Sequence, residues 1–164
     1  MQSFIFFLFL AAALLGLFTA VNALQKQPTT AVLSINIAVL AAIIWGFGYL
    51  FELAYTEIEV KIFWSKISYI GIVTVPTAWF TFALQYTRHF HRLNKRTLPL
   101  LLIMPLLTLT ILWGEQSLIW ENITILPSII FPSILSYTYG NWFWIHTIYS
   151  YTLILLGVFF MLRA

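Results

Sequence analysis

The sequence predicts an all-α membrane protein, a polytopic bundle of transmembrane helices, and three observations lead to that prediction. Of the 164 residues, 62% are hydrophobic and only 8% are charged, whereas a soluble protein carries about 25% charged residues. Five apolar stretches approach or exceed the length that a helix needs to cross a bilayer core. No polar stretch is long enough to bury a core of its own. The lipid bilayer is therefore the first expected partner of this chain.

We predict five transmembrane helices within a single domain that covers residues 1–164. Their approximate ranges are 3–24, 31–55, 62–87, 98–113 and 142–162. The first has no basic amino-terminal region, and its apolar run exceeds the roughly 7–15 residues of a signal peptide. We therefore favour a membrane anchor over a cleaved leader. The second begins after Pro28, which suits a helix start. The fourth is the shortest and contains two prolines.

The connection 114–141 between the last two predicted helices is long, yet it is too apolar for a solvated linker. Its Trp and Tyr side chains suit the headgroup layer of a membrane. Pro127 and Pro132 disfavour a sixth spanning helix in this segment. We expect an amphipathic loop that faces outward and lies on, or dips into, the outer leaflet.

The distribution of basic residues predicts the orientation in the membrane. The loop after the third helix holds four of them, Arg88, Arg92, Lys95 and Arg96. Short loops rich in Lys and Arg stay in the cytoplasm, so we expect loop 88–97 and the carboxyl terminus to be cytoplasmic and the amino terminus to be outside. Four of the five glutamates then fall outside. The expected localisation is the plasma membrane, with several passes.

Several functional classes are disfavoured by what the sequence lacks. There is no Cys, which excludes disulfides and thiolate metal sites. No zinc-protease, nucleophile-elbow, dinucleotide-binding or Walker motif is present. We therefore predict no catalytic residue, no metal, no cofactor and no enzymatic activity. His89 and His91 lie in the basic loop, which suits lipid headgroups better than a metal. That loop is too short for a nucleic-acid module, so no nucleic-acid partner is expected.

Two ionisable residues lie inside predicted helices, where charges are costly and often functional. Glu52 is near the outer end of the second helix, and Lys66 is near the outer start of the third. A short hairpin joins these helices, so the two charges are at similar depth. They could contact a ligand or an ion. The alternative, which we favour, is that they satisfy each other and hold the two helices together.

The last helix has polar side chains on one face, because His146, Tyr149 and Ser150 follow the i, i+3, i+4 spacing. A pocket that opens outward between the second, third and fifth helices would explain them. The simpler alternative is that they only bond to neighbouring groups in the bundle. The candidate ligand-binding residues are Glu52, Lys66, Tyr69, His146 and Tyr149.

Two stretches carry a family resemblance. IFWSKISYIGIVTVPTAWFTFALQYTRH, residues 62–89, resembles the signature helix in the seven-helix amino-terminal region of bacterial and archaeal sensor histidine kinases. GNWFWIHTIYSYTLILLG, residues 140–157, is similar to the fifth helix of that region. The matching positions of the first stretch are Trp64, Lys66, Tyr69, Gly71, Pro76, Phe82, Leu84, Tyr86 and Thr87.

The resemblance implies an outward amino terminus and seven helices that lead to a cytoplasmic output module. The chain would hold the first five of the seven, so we expect a region truncated after the fifth helix. We interpret it as the sensory input region of a signal-transduction protein of the histidine kinase type, non-catalytic in itself. The expected partners are a small or lipophilic ligand, an output domain in cis or a kinase in trans, and a second copy in a homodimer. The alternatives are a small transporter or transporter subunit, and a structural membrane scaffold.

Overall fold

The computed structural model describes residues 2–26, 28–87 and 97–164. Its five α-helices are α1 (Gln2–Lys26), α2 (Thr30–Ala54), α3 (Ile58–Tyr86), α4 (Thr97–Gly114) and α5 (Asn141–Leu162). Apart from Thr97, the predicted cytoplasmic loop with its basic residues and His89 and His91 lies outside the described residues. The predicted all-α membrane fold is confirmed.

Within the described residues, four helices are long and apolar enough to cross a membrane, and α4 provides a shorter apolar helix. The longest is α3, whose 29 residues correspond to about 43 Å of helix. A bilayer core is about 30 Å thick. One or both ends of α3 therefore extend into the headgroup layer, which reduces the cost of charged residues there.

The helix α3 lies at the centre of the bundle and packs against α2, α4 and α5, while α1 packs against α2. The contact between α2 and α3 is close because Gly48 and Gly71 lie in it. A Cβ atom on Gly48 would overlap Ser68, and one on Gly71 would overlap the backbone of Ala41. The Ser68 hydroxyl donates a hydrogen bond to the carbonyl of Trp45 at 3.2 Å. Small residues of this kind let membrane helices approach each other.

The segment 114–141 is not the amphipathic loop that the sequence predicted, because it folds into a β-hairpin. Strand β1 (Trp120–Leu126) pairs antiparallel with β2 (Ile134–Tyr139), and a short 3₁₀ helix precedes them. Residues 122–125 of β1 and 136–139 of β2 alternate polar and apolar types, and both strands are rich in β-branched or aromatic residues, which favour strands. Pairing also satisfies backbone groups that an apolar loop would leave exposed to lipid.

The hairpin packs onto one end of the bundle, which we call the hairpin end. The buried cluster there consists of Tyr69 and Val73 from α3, Leu112 from α4, and Ile119 and Trp120 from the start of the hairpin. This end contains the carboxyl ends of α2 and α4 and the amino ends of α3 and α5. The core of the chain thus joins helices and hairpin at a single place.

A test of the close contact between α2 and α3 is Gly71→Ala. We expect it to lower the free energy of unfolding by about 1–3 kcal/mol, because the added methyl group meets backbone that cannot move aside. The matched control is Gly114→Ala, whose Cβ would meet nothing within 4 Å. Thermal unfolding in detergent, followed by tryptophan fluorescence, measures both. Equal melting temperatures for the two variants would contradict the packing described here.

Candidate functional site

A cleft of about 420 Å³ lies between α2 and α5, with α3 as its floor and the hairpin at one end. This volume is within the range of about 300–1,000 Å³ that small-molecule sites occupy. The side chains around it come from α2, α3, α5 and both strands. They are Trp45, Tyr49, Glu52, Ser65, Ser68, Tyr69, Ile72, Val75, Pro76, Trp120, Tyr137, Tyr139, Phe143, His146, Thr147, Ser150, Tyr151 and Ile154.

The cleft has a buried polar interior and an exposed aromatic rim. Glu52 and His146 in the interior are each only 4% exposed. On the rim, Trp45, Tyr49 and Tyr151 are 45%, 48% and 63% exposed. Since the outer surface of these helices faces lipid in a membrane, aromatic rings flank the interior polar groups on the lipid side.

Among the described residues that line the cleft, Glu52 is the one acidic side chain, and neither Lys nor Arg is present. Its carboxylate interacts with the backbone N–H of Leu135, with the Ser65 hydroxyl and with the ammonium group of Lys61. Lys61 has no exposed surface. It donates hydrogen bonds to the carbonyl of Glu52 at 2.6 Å and to the carbonyl of Ser133 at 2.9 Å. Lys61 thus ties the end of α2 to the hairpin.

The interpretation that Glu52 and Lys66 form a mutually satisfied pair is wrong, because the lysine beside Glu52 is Lys61. The Lys66 ammonium lies 5.6 Å from the centre of the Trp113 ring, on the side of α3 that faces α4. Lys66 follows Lys61 by five residues, which corresponds to a rotation of about 140° around the helix. The two lysines therefore face different neighbours, and Lys61 takes the position beside Glu52.

The hairpin contributes aromatic side chains to the interior of the cleft. The hydroxyl groups of Tyr137 and Ser65 are 2.7 Å apart. Burial raises the pKa of the Tyr137 phenol, so this phenol stays protonated and can donate to Ser65. The rings of Tyr69 and Trp120 meet edge to face with centroids 5.3 Å apart. Trp120 also packs against Tyr137, with centroids 5.0 Å apart.

The polar face of α5 divides between two neighbours. His146 and Ser150 face the cleft. The distance from the imidazole Nε2 of His146 to the hydroxyl oxygen of Ser150 is 3.3 Å. The His146 ring is 6.5 Å from that of Tyr69. Tyr149 points elsewhere, since its hydroxyl donates to the carbonyl of Leu101 in α4 at 2.6 Å. The hydroxyl of Tyr149 therefore bonds a neighbouring helix, as the simpler alternative expected.

Of the five candidate residues, the structure brings Glu52, Tyr69 and His146 together in the cleft and places Lys66 and Tyr149 outside it. Whether any of them binds a ligand stays a prediction. Four residues in or beside the cleft were not predicted from the sequence: Lys61, Ser65, Trp120 and Tyr137. A signal for the first two was present, because Lys61, Ser65 and Tyr69 follow each other at four-residue spacing on one face of α3.

The groups of the cleft are suited to binding an organic ligand. Among residues 2–26, 28–87 and 97–164, no group of three or more His, Asp or Glu side chains is placed to hold a metal ion. The cleft instead combines one carboxylate, several hydroxyl groups and many aromatic rings. These groups can hold an organic ligand by hydrogen bonds, by charge and by contact with ring faces.

Comparison with known protein families shows what the chain is similar to. A model described as the N-terminal 7TM region of histidine kinase matches residues 8–164. The matched range includes the hairpin, helices α2 to α5 and most of α1. Comparison with curated proteins gives no match, and neither does comparison with solved structures.

The role of Lys61 is tested by Lys61→Met, with Lys66→Met as the matched control. We expect Lys61→Met to lower the free energy of unfolding by on the order of 3 kcal/mol, because it leaves a buried carboxylate without its counter-charge. It should also make the hairpin more sensitive to proteolysis, since the bond to Ser133 is lost. Lys66→Met should have a clearly smaller effect on both measurements. Equal effects of the two substitutions would contradict the arrangement described here.

Proposed function

The chain belongs to the family of N-terminal 7TM regions of histidine kinases, and we propose that the cleft is where this region receives its signal. A region of this family is the sensory input of a membrane-bound kinase. The proposed role is non-catalytic: a small or lipophilic ligand occupies the cleft and changes the packing of the elements around it.

This proposal rests on the observation that separate helices and the hairpin together form the cleft. Its walls come from α2 and α5, which both pack on α3, and one end is closed by the hairpin. A ligand that contacts all of them favours one relative arrangement over another. It shifts the equilibrium between two arrangements only as far as its affinities for them differ. The hydrogen bonds from Lys61 to the carbonyls of Glu52 and Ser133 connect the hairpin to α2 and α3. The position of the hairpin therefore depends on which of the two arrangements the helices adopt.

We place the hairpin end on the outer side of the plasma membrane. Lys26 and Arg163 lie at the opposite end of the bundle, where α3 also ends before the basic loop follows in the sequence. The rule that basic loops stay inside supports this orientation. The exposed aromatic side chains Trp113 and Trp144, each within a turn of a helix end, suit the outer headgroup layer. The signal would then arrive from outside or from the outer leaflet.

The output is proposed to be a histidine kinase in the cytoplasm, acting as a domain in cis or as a partner in trans. Since α3 contacts α2, α4 and α5, a change at the hairpin end reaches the cytoplasmic end through the central helix. Two copies of the region can serve one dimeric kinase.

The proposed orientation is tested with single cysteines, because the chain has none of its own. Glu121→Cys lies in the hairpin, and Lys95→Cys lies in the predicted cytoplasmic loop. In intact cells, a membrane-impermeant maleimide should label Glu121→Cys and leave Lys95→Cys unlabelled until the cells are opened. The reverse pattern would place the hairpin end inside and overturn the outward cleft.

The signalling role is tested by joining the region to a histidine kinase output domain and measuring autophosphorylation in vesicles. We expect Glu52→Gln and His146→Ala each to change the basal rate by about fivefold or more, since couplings between sites are typically about 1–3 kcal/mol. Basal activity reports the equilibrium even before the ligand is known.

The matched control for this experiment is Glu59→Gln, which removes the same charge from an exposed site on α3 outside the cleft. It should leave the basal rate unchanged. Melting temperatures of all three variants separate signalling from misfolding. If both cleft variants fold and phosphorylate like the wild type, the proposed sensory role of the cleft is wrong.

A further inference from the structure

We infer that the ligand of the cleft is a lipophilic organic cation, an ammonium group carried on an apolar body. This inference rests on the proposed function of the cleft and specifies the chemistry of its ligand. It follows from the charge of the interior, from the aromatic walls and from the exposed rim.

The charge of the interior favours a cation. Glu52 supplies the charged group of the lining, and no Lys or Arg is among the lining residues that the structure describes. The Lys61 ammonium is turned toward two backbone carbonyls, those of Glu52 and Ser133, and it does not line the cleft. A ligand in the cleft therefore contacts the carboxylate itself, while the Lys61 ammonium lies outside the lining and is held by the two carbonyls.

The Glu52 carboxylate retains capacity to accept hydrogen bonds from a ligand. A carboxylate offers about four lone-pair sites. Two donors are the backbone N–H of Leu135 and the hydroxyl of Ser65. The hydroxyl of Tyr137 is 2.7 Å from that of Ser65, so it can donate to Ser65 in turn. These fixed donors hold the carboxylate in place, and an ammonium N–H or a polarised N–CH₃ group of the ligand can approach the remaining sites.

The walls next to this carboxylate are aromatic. The rings of Tyr49, Tyr69, Trp120, Tyr137 and Tyr139 all line the cleft. Ring faces attract ammonium groups, most strongly where water is excluded, and aromatic cages are the known means of binding quaternary ammonium. Trp120 and Tyr69 are almost fully buried, which meets the condition that water is excluded.

The rim explains why the cation should carry an apolar body. Trp45, Tyr49 and Tyr151 are about half exposed or more, on helix surfaces that face lipid. A ligand whose ammonium group reaches Glu52 therefore extends past aromatic side chains toward the membrane. Two sources supply this chemistry: a free lipophilic amine, or the ammonium headgroup of a phospholipid in the outer leaflet.

The test is binding of phenyltrimethylammonium to the full chain in lipid nanodiscs made of phosphatidylglycerol, followed by tryptophan fluorescence. The neutral isostere tert-butylbenzene and the anion benzenesulfonate are titrated in parallel. We expect saturable binding of the cation, with an affinity at least tenfold higher than that of either comparison compound. Equal affinity for the cation and its neutral isostere would overturn the inference.

Three variants locate the binding. Glu52→Gln should weaken phenyltrimethylammonium binding at least tenfold, and Tyr49→Leu, on the exposed rim, should weaken it severalfold without affecting the folding of the interior. Glu59→Gln removes an equal charge outside the cleft and should bind like the wild type. Should Glu52→Gln fail to fold, Tyr49→Leu still decides the matter. Wild-type affinity in every folded cleft variant would place the cation elsewhere and overturn the inference.

Further comparisons distinguish the two sources of the ligand. They also distinguish a failure of this inference from a failure of the proposed function. Phosphatidylglycerol and phosphatidylcholine nanodiscs are compared at high ionic strength, which screens the attraction of the anionic surface for the cation. In phosphatidylcholine, a headgroup ligand competes and lowers the apparent affinity for phenyltrimethylammonium, whereas a site for free amines keeps its affinity. If the cleft variants change kinase output but the cation binds no better than its isostere, the inference fails and the proposed function stands. If the cation binds and the variants leave output unchanged, the proposed function fails.

Discussion

The ammonium group of Lys61 has no exposed surface, and it lies between two backbone carbonyls at the place where α2, α3 and the hairpin meet. A charge in or near a bilayer is tolerated only when the protein itself satisfies it. The carbonyls of Glu52 and Ser133 and the carboxylate of Glu52 do so here. That requirement holds the hairpin against the helices. The hairpin in turn encloses one end of the cleft and supplies aromatic side chains to its wall.

The same requirement explains why the cleft is polar inside although lipid surrounds the bundle. The carboxylate beside Lys61 needs donors of its own, and it finds them in Ser65 and in the backbone of Leu135. Ser65 then brings in Tyr137. Each group satisfies the one before it, so the network crosses from α2 through α3 to the hairpin. A change of partner at any step therefore affects the position of all three elements, which suits a region that passes a signal across a membrane.

Much of the fold could be predicted from the sequence, since lipid requires apolar runs of about 20 residues and such runs are easy to recognise. The hairpin could not, because alternating residues interrupted by Pro127 and Pro132 fit a membrane-bound loop as well as two strands. The predicted third helix began at residue 62, whereas α3 begins at Ile58. Lys61 was therefore assigned to a loop, and its proximity to Glu52 was not predicted. Glu52, Tyr69 and His146 could be placed at similar depth, because each lies within about two turns of the outer end of a predicted helix. The direction of Tyr149 depended on α4, whose contacts no sequence pattern revealed.

We propose that the packing of the hairpin and of the cleft changes whenever the kinase output changes. It is tested most directly by deuterium exchange on kinase variants selected as constitutively active and constitutively inactive, each joined to this region. Backbone amides of β1, β2 and the first turns of α3 should differ in protection between the two states, because the Lys61 and Tyr137 contacts rearrange. Identical protection of these segments in both states, with differences confined to other helices, would contradict it.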